Sequence, residues 1–383
     1  MGGAELKVGI VGAGVFGVWI ARCLQRAGCS VTVFDQYGPG NSRASSGGET
    51  RLLRAGYGPN TIYSEWAIRS HQLWSDALNS LSRSECFVPA GMLWLVWPGD
   101  PYGVAIIETL RKLDWPIEIM DRAEVQKRYP VIATPPSCQG ILEPRSGALL
   151  ARRAVAILLA EVIRAGGSFV QARAEVRDDR LLVNGERLAF ERIVLSAGPW
   201  LPKLLPDVIG NRIQPTRQEI MFFGCPPGRD SFSPSRLPGW IDFTDERMPY
   251  GFPDIENRGF KMAFDRHGPS IDPDTEERIL SASTLREARE YLASRFPDLA
   301  GSPLVDSRVC QYENTGSGDF ILDWMPGSSR VFIAGGGSGH GFKLPLPTPA
   351  CGTKPIVAGN KSDGTNRTAA AWLQKRVPGL YIR

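Results

Sequence analysis

Residues 6–11 (LKVGIV) form a short apolar run of the kind that fills a strand buried on both faces. The glycine-rich turn Gly12-Ala-Gly-Val-Phe-Gly17 follows. Residues 15–27 (VFGVWIARCLQRA) then carry apolar side chains at helical spacing up to a stop at Gly28. Residues 30–35 (SVTVFD) read as a second strand that closes on Asp35. Strand, turn, helix and strand in about thirty residues make a βαβ start.

The same alternation predicts the rest. Over residues 64–81, Trp66, Ile68, His71, Leu73, Trp74 and Leu78 fall at helical spacing. Residues 91–97 (GMLWLVW) predict a strand. Residues 105–120 and 122–129 predict helices around Trp115-Pro116, and residues 151–165 an amphipathic helix ended by Gly166-Gly167. Residues 168–195 alternate short strands with a turn at Asn184-Gly185, and residues 193–198 are a buried strand ending in glycine. Between 212 and 263, strand-like runs broken by Pro and Gly predict an antiparallel sheet. Residues 284–296 predict a helix, and residues 330–334 a strand running into Gly335-Gly-Gly-Ser-Gly-His-Gly341. Strands of the dinucleotide type thus lie at both ends and in the middle of the chain. The expected class is α/β (α+β), a Rossmann-like cofactor domain (1–88, 140–212 and 300–383) interleaved with a substrate domain on a mixed or antiparallel sheet (89–139 and 213–299).

Composition narrows the function. A chain of 383 residues suits two domains. Charged residues make up 22% and the net charge is +4 with no long basic run, so nothing asks for nucleic acid or a membrane surface as partner. Residues 6–24 are apolar enough to resemble a span, but their glycines and the βαβ pattern assign them to strand, turn and helix. Seven cysteines, scattered and without CxxC, are not a disulfide framework, and three histidines with no cluster argue against zinc. The expectation is a cytoplasmic monomer; the terminal Leu-Tyr-Ile-Arg is no peroxisomal address.

The chemistry begins at the first turn. In Gly12, Gly14 and Gly17 the first glycine permits the tight turn, the second lets backbone approach a pyrophosphate, and the third lets helix and strand pack closely. The helix then offers free N–H groups and a positive dipole end to phosphate, and Asp35 stands where a ribose would bond. The motif alone does not separate NAD from FAD.

With those residues in place the sequence resembles the D-amino-acid-oxidase superfamily of FAD enzymes, and within it the branch of monomeric sarcosine oxidase and N-methyltryptophan oxidase. The resemblance spans residues 7–343 and rests on further blocks: Ser45-Ser-Gly-Gly-Glu-Thr-Arg-Leu-Leu-Arg54 with Gly56-Tyr-Gly; Ser196-Ala-Gly-Pro-Trp200; Tyr250-Gly-Phe-Pro253 with Lys261; Arg308-Val-Cys310-Gln-Tyr-Glu with Asp319-Phe-Ile-Leu-Asp323; and the glycine turn ending in Phe342 and Lys343. It implies FAD bonded through Cys310; forming that bond requires a thiolate, which Arg308, two residues away, is placed in sequence to favour. It implies Arg54 and Lys343 on a substrate carboxylate, Tyr250 in the substrate pocket, Arg51 near the flavin ring, and Lys261 over it, assisting dioxygen. It places Val15, Phe16, Gln36, Ser45, Ser46, Thr50, Val176, Ala197, Gly198, Trp200, Gly337, Gly339, His340 and Gly341 on the cofactor. The implied reaction oxidises the C–N bond of a small amino acid with a free carboxylate and turns O2 into H2O2. Read without the resemblance, Arg51 and Arg54 are a surface pair, Lys261 a solvated strand residue and Cys310 a small core residue.

The chain departs from the pattern in three places. Ser46 and Gly47 stand where sarcosine oxidases carry a His pair. Asp265 replaces a His beyond the active-site lysine, which points to a more basic substrate. Pro345, Pro347, Pro349 and Pro355 break the closing helix of the family, and a helix is expected again only over residues 368–375. Rival readings are a flavin dehydrogenase with another acceptor, a fructosyl amino acid oxidase and a non-catalytic flavin-binding protein.

Overall fold

A computed structural model describes residues 5–345 apart from 229. The proline-rich stretch beyond Pro345 and the helix expected over residues 368–375 lie outside the described residues.

The first sheet is the expected Rossmann-like layer. Its six strands run in the order Ile321–Trp324, Val331–Gly335, Arg192–Leu195, Lys7–Val11, Ser30–Asp35, Ser168–Gln171. All neighbours are parallel except the first pair. Parallel strands need crossovers that cover both faces, which is why the central runs Val8–Val11, Ile193–Leu195 and Val331–Gly335 carry no polar side chain. Helices Val15–Arg26 and Ala151–Arg164 pack together, tied by Arg22 Nε on Glu161 at 2.6 Å and Gln25 Nε2 on the carbonyl of Val162 at 3.0 Å. Gly9 faces Leu181 and Phe190, the hydrophobic side of a small meander (Ala174–Arg177, Arg180–Val183, Glu186–Leu188). The meander turns at Asn184 and Gly185, both with positive φ, as a tight hairpin requires.

The second sheet has eight strands in the order Leu304–Thr315, Ile213–Phe223, Phe260–Phe264, Pro249–Phe252, Gly239–Asp242, Met92–Val96, Gln139–Glu143, Glu118–Met120. Every pair is antiparallel except Gly239–Asp242 with Met92–Val96. Helix Ala282–Arg295 closes one face through Tyr291, Leu292 and the ring cluster of Trp240, Phe260 and Phe296. Beneath it Asp242 accepts from Arg295 Nε (2.7 Å) and the Tyr291 hydroxyl (2.9 Å), so the buried charge is paired.

Two elements differ from the sequence reading. The helix expected over residues 105–120 is Pro101–Lys112, and Glu118–Met120 is an edge strand. Asp100 caps the helix start, and Pro116 pushes the residue before it away from helical angles. The boundary drawn at residue 300 falls in front of Leu304–Thr315, a strand paired over its length with Ile213–Phe223 in the second sheet.

Candidate active site

Two concavities lie on either side of strand Leu304–Thr315. The larger, about 770 Å³, opens beyond the carboxyl ends of strands Lys7–Val11 and Arg192–Leu195. Gly12, Gly14, Val15, Phe16, Asp35, Gln36, Ser45, Ser46, Val176, Ala197, Gly198 and Trp200 line it. A Cβ on Gly12 would lie 2.3 Å from the carbonyl oxygen of Ser196, and one on Gly17 would lie 1.8 Å from that of Gly12. Gly17 therefore sets helix against strand and does not line the cleft. Asp35 accepts from the backbone of Ala13 and Tyr37, each at 2.8 Å, and burial raises its pKa against those bonds. The Ser46 hydroxyl accepts from Val15 N at 3.1 Å, a donor the sequence reading left to the phosphate.

The smaller cavity, about 400 Å³, holds Arg51, Arg54, Tyr250, Lys261, Cys310 and Lys343 together with Thr50, Gly339, His340 and Phe342. Residues from four distant stretches of sequence thus share one space. Gly337 and Gly341 line neither concavity; added Cβ atoms there would press on Glu313 (2.9 Å) and Phe16 (2.8 Å).

Arg54 and Lys343 share a platform that the sequence did not reveal. The Arg54 guanidinium lies 4.5 Å from the Tyr57 ring centre and Lys343 Nζ lies 5.0 Å from the same ring. Arg54 also stacks on Trp94 at 4.8 Å and donates to the carbonyl of Gly56. Trp94 in turn donates to Glu143, a fully buried carboxylate that also accepts from the backbone of Ala55 and Gly56, from Trp115 and from Ser146. Glu143 thereby fixes the bend that carries Arg54. Lys343 donates to the carbonyl of His340 at 3.0 Å, and burial, followed by Arg54, holds its pKa well below the ordinary lysine value.

His340 is a structural contact. Its Nε2 faces the carbonyl of Gly318 at 3.0 Å and so carries the proton, leaving Nδ1 to accept from the Tyr57 hydroxyl at 3.2 Å. Burial, then Lys343, pushes its pKa down to about 3.

Lys261 is 3% exposed and donates to the carbonyl and hydroxyl of Thr50 at 2.9 and 3.0 Å. Burial, with Arg51 beside it, lowers its pKa well below the usual value. Tyr250 meets the Tyr312 hydroxyl at 3.3 Å, and Tyr312 donates to Asp265 at 3.3 Å. Burial pushes the Tyr250 pKa up to about 12. Asp265 is exposed at the edge of the cavity.

Cys310 is a buried free thiol. The guanidinium beside it is Arg51, whose Nη2 lies 3.5 Å from Sγ. Arg308 is engaged with Glu49 at 2.9 Å and Asp306 at 3.6 Å, so the role assigned to it from the sequence is corrected. Nor are Arg51 and Arg54 a surface pair on a helix: Arg51 lies in strand Thr50–Leu53 and Arg54 follows it, both half-buried.

This geometry can be set beside known proteins. The profile of the FAD dependent oxidoreductase (DAO) family matches residues 7–352. The chain belongs to that family. It is 30% identical over 347 residues to the monomeric sarcosine oxidase of a Bacillus species, covering 88% of each chain. It is 30% identical over 348 residues to the N-methyl-L-tryptophan oxidase of Salmonella arizonae, covering 88% of this chain and 90% of that one. Among solved structures, fructosamine oxidase (Amadoriase II) of Aspergillus fumigatus superposes with a TM-score of 0.74 over 90% of this chain and 85% of that one, at 22% identity, a likeness of fold.

The family implies FAD, and the larger cleft fits it. The start of the 12-residue helix carries no acidic side chain to cancel its dipole, and the glycine turn leaves no room for a Cβ. Two buried oxygens at the cleft, Ser45 Oγ and Glu313 Oε2, have no hydrogen-bond partner among the described residues. Among the described residues no helix is long and apolar enough to cross a membrane, and no cluster of His, Cys, Asp and Glu suits a metal.

Proposed function

We propose that this FAD-dependent oxidoreductase oxidises the C–N bond of a small N-methyl or secondary amino acid, with the flavin bonded to Cys310 by a thioether and O2 as acceptor. The observation that carries this reading is the pair Arg54 and Lys343 on the Tyr57 ring, in one cavity with Cys310 and Lys261. A guanidinium and a lysine amino group converging in one cavity suit a carboxylate, which the guanidinium can grip with two parallel hydrogen bonds. The names of the relatives support an amino-acid substrate.

The amine loses two electrons and two protons to become an imine, which water hydrolyses, and O2 takes up the same electrons and protons as H2O2. FAD, when bound, supplies the carrier for that electron pair. The protein's own residues position and discharge. Arg54 and Lys343 hold the carboxylate and so orient the amine. Tyr250 and Tyr312 lead from the cavity to Asp265 and offer the amine proton a route outward. Burial and Arg51 lower the pKa of Lys261, and its ammonium form would stabilise negative charge that develops beside it, which suits it to reduced oxygen. Arg51 donates to the Cys310 sulfur and fixes its place in the cavity. Asp265 adds a negative group at the cavity edge, so a substrate with a second, basic group is favoured over sarcosine.

The test is the absorbance of the purified protein before and after acid precipitation, followed by peroxide release with N-methyl amino acids of neutral and basic side chain. A yellow pellet that Cys310→Ser turns colourless, with turnover fastest on the basic members, supports the reading. Acid-soluble flavin removes the thioether, and no peroxide from any member removes the oxidase.

A further inference from the structure

The strand Leu304–Thr315 separates the two concavities and shows one face to each. Cys310 and Tyr312 look into the smaller cavity, whereas Glu313 looks into the dinucleotide cleft. Glu313 is 8% exposed and packs against glycines: Oε1 lies 2.9 Å from where a Cβ of Gly337 would stand, and Oε2 lies 3.5 and 3.7 Å from those of Gly198 and Gly335. Backbone N–H groups of Gly337 and Gly336 bond to the carboxyl group, but among the described residues Oε2 has no partner. Among the described residues no charged side chain contributes to its balance, and burial raises its pKa to about 7. A buried carboxyl oxygen without a donor is costly, and a neutral side chain of the same size would relieve the cost.

Its position selects the donor. On one side stands Phe16 at the start of the helix, which shares the Gly337 contact and marks the pyrophosphate end. On the other side, three residues and so about 10 Å back along the strand, stands Cys310. Asp35 serves the far end of the cleft, where the adenosine ribose belongs. The part of FAD between pyrophosphate and ring is the ribityl chain, and its only donors are hydroxyls. We propose that Glu313 accepts a hydrogen bond from a ribityl hydroxyl of FAD and anchors the middle of the cofactor. This rests on the family's FAD and on the reading that the ring lies toward Cys310.

The test uses Cys310→Ser, in which FAD exchanges freely, and reads the dissociation constant by quenching of flavin fluorescence. Glu313→Gln keeps the shape and removes the acceptor charge, so FAD is expected to bind about tenfold more weakly. Of the 2′-, 3′- and 4′-deoxyribityl analogues of FAD, one is expected to bind the parent about tenfold more weakly than FAD does and to lose nothing further in Glu313→Gln. The proposal is overturned if Glu313→Gln binds FAD as the parent does, or weakens FAD and all three analogues equally. Where Cys310→Ser yields no folded protein, the FAD concentration for half-maximal incorporation into otherwise unaltered apoprotein gives the same comparison. If the flavin of the native chain is acid-soluble, the thioether reading fails separately, and the dissociation constants are measured on the native chain itself.

Discussion

The Arg54 guanidinium and the Lys343 amino group lie over one ring, that of Tyr57, and that arrangement explains how the two stay together before any anion arrives. Arg54→Ala removes the two-pronged grip and is expected to raise KM for a carboxylate substrate about a hundredfold, roughly 3 kcal/mol, in steady-state assays. Lys343 must be protonated to attract a carboxylate, yet burial and Arg54 depress its pKa. Binding of a simple carboxylate such as acetate should therefore take up a proton and weaken as pH rises through that depressed value. Titration calorimetry in two buffers of different ionisation heat checks it; no proton uptake would remove Lys343 from the clamp. Glu143 illustrates a residue that acts through others. Its five donors surround the bend at Ala55 and Gly56. Glu143→Ala leaves them unpaired in the core and is expected to cost about 3 kcal/mol in denaturant unfolding. None of this is legible locally: Glu143 sits in ordinary sequence, and Tyr57, although inside a recognised block, bears no mark of the two groups it carries, whereas Gly12, Gly14, Gly17 and Asp35 announce themselves because a short turn demands them.

At the scale of elements, the helix Val15–Arg26 and strand Lys7–Val11 approach as closely as glycine permits. Gly17→Ala places a methyl group against the carbonyl of Gly12. The helix must then shift, at about 3 kcal/mol or more. The expected result is purified protein with little flavin and a lowered melting temperature; full flavin content would show that the turn tolerates the shift. Strand Leu304–Thr315 sets two functions by alternation alone. Because successive side chains point to opposite faces, Cys310 and Glu313 serve different concavities three residues apart. Sequence reading singled out Cys310 by its block and passed over Glu313, since a glutamate in a strand carries no mark of what it faces. It chose Arg308 as the thiol's neighbour by proximity in sequence; the fold brings Arg51 there from another sheet.

Over the whole molecule, burial of titratable groups sets the pH response. His71 and His340 are both held down to about 3, mainly by burial, against an ordinary value near 6.5. The unfolded chain therefore takes up protons between about 6.5 and 3 that the folded chain does not, and stability falls as pH falls through that window. His71 has a buried Nε2 without a hydrogen-bond partner among the described residues. His71→Leu is expected to flatten the acid side of the melting-temperature profile, as read by calorimetry from pH 7 to 5; an unchanged profile would place the acid lability elsewhere. Lys261 and Lys343 act in the other window. Their folded pKa values are depressed, so stability rises with pH from those values toward about 10.5, where the unfolded lysines lose their protons.

What the sequence determined by itself is the part governed by neighbours along the chain. The βαβ start, the helix over residues 151–165 and the hairpin at Asn184-Gly185 follow from periodicity and turn chemistry, whose range is a few residues. It also supplied the family, through blocks that each carry a resemblance. Tertiary structure alone decided which cations face which rings, which guanidinium meets Cys310, and which carboxylates lie buried without a counter-charge. Those facts depend on contacts between residues hundreds of positions apart, and on burial, which alters a group's charge without leaving any mark in its immediate sequence.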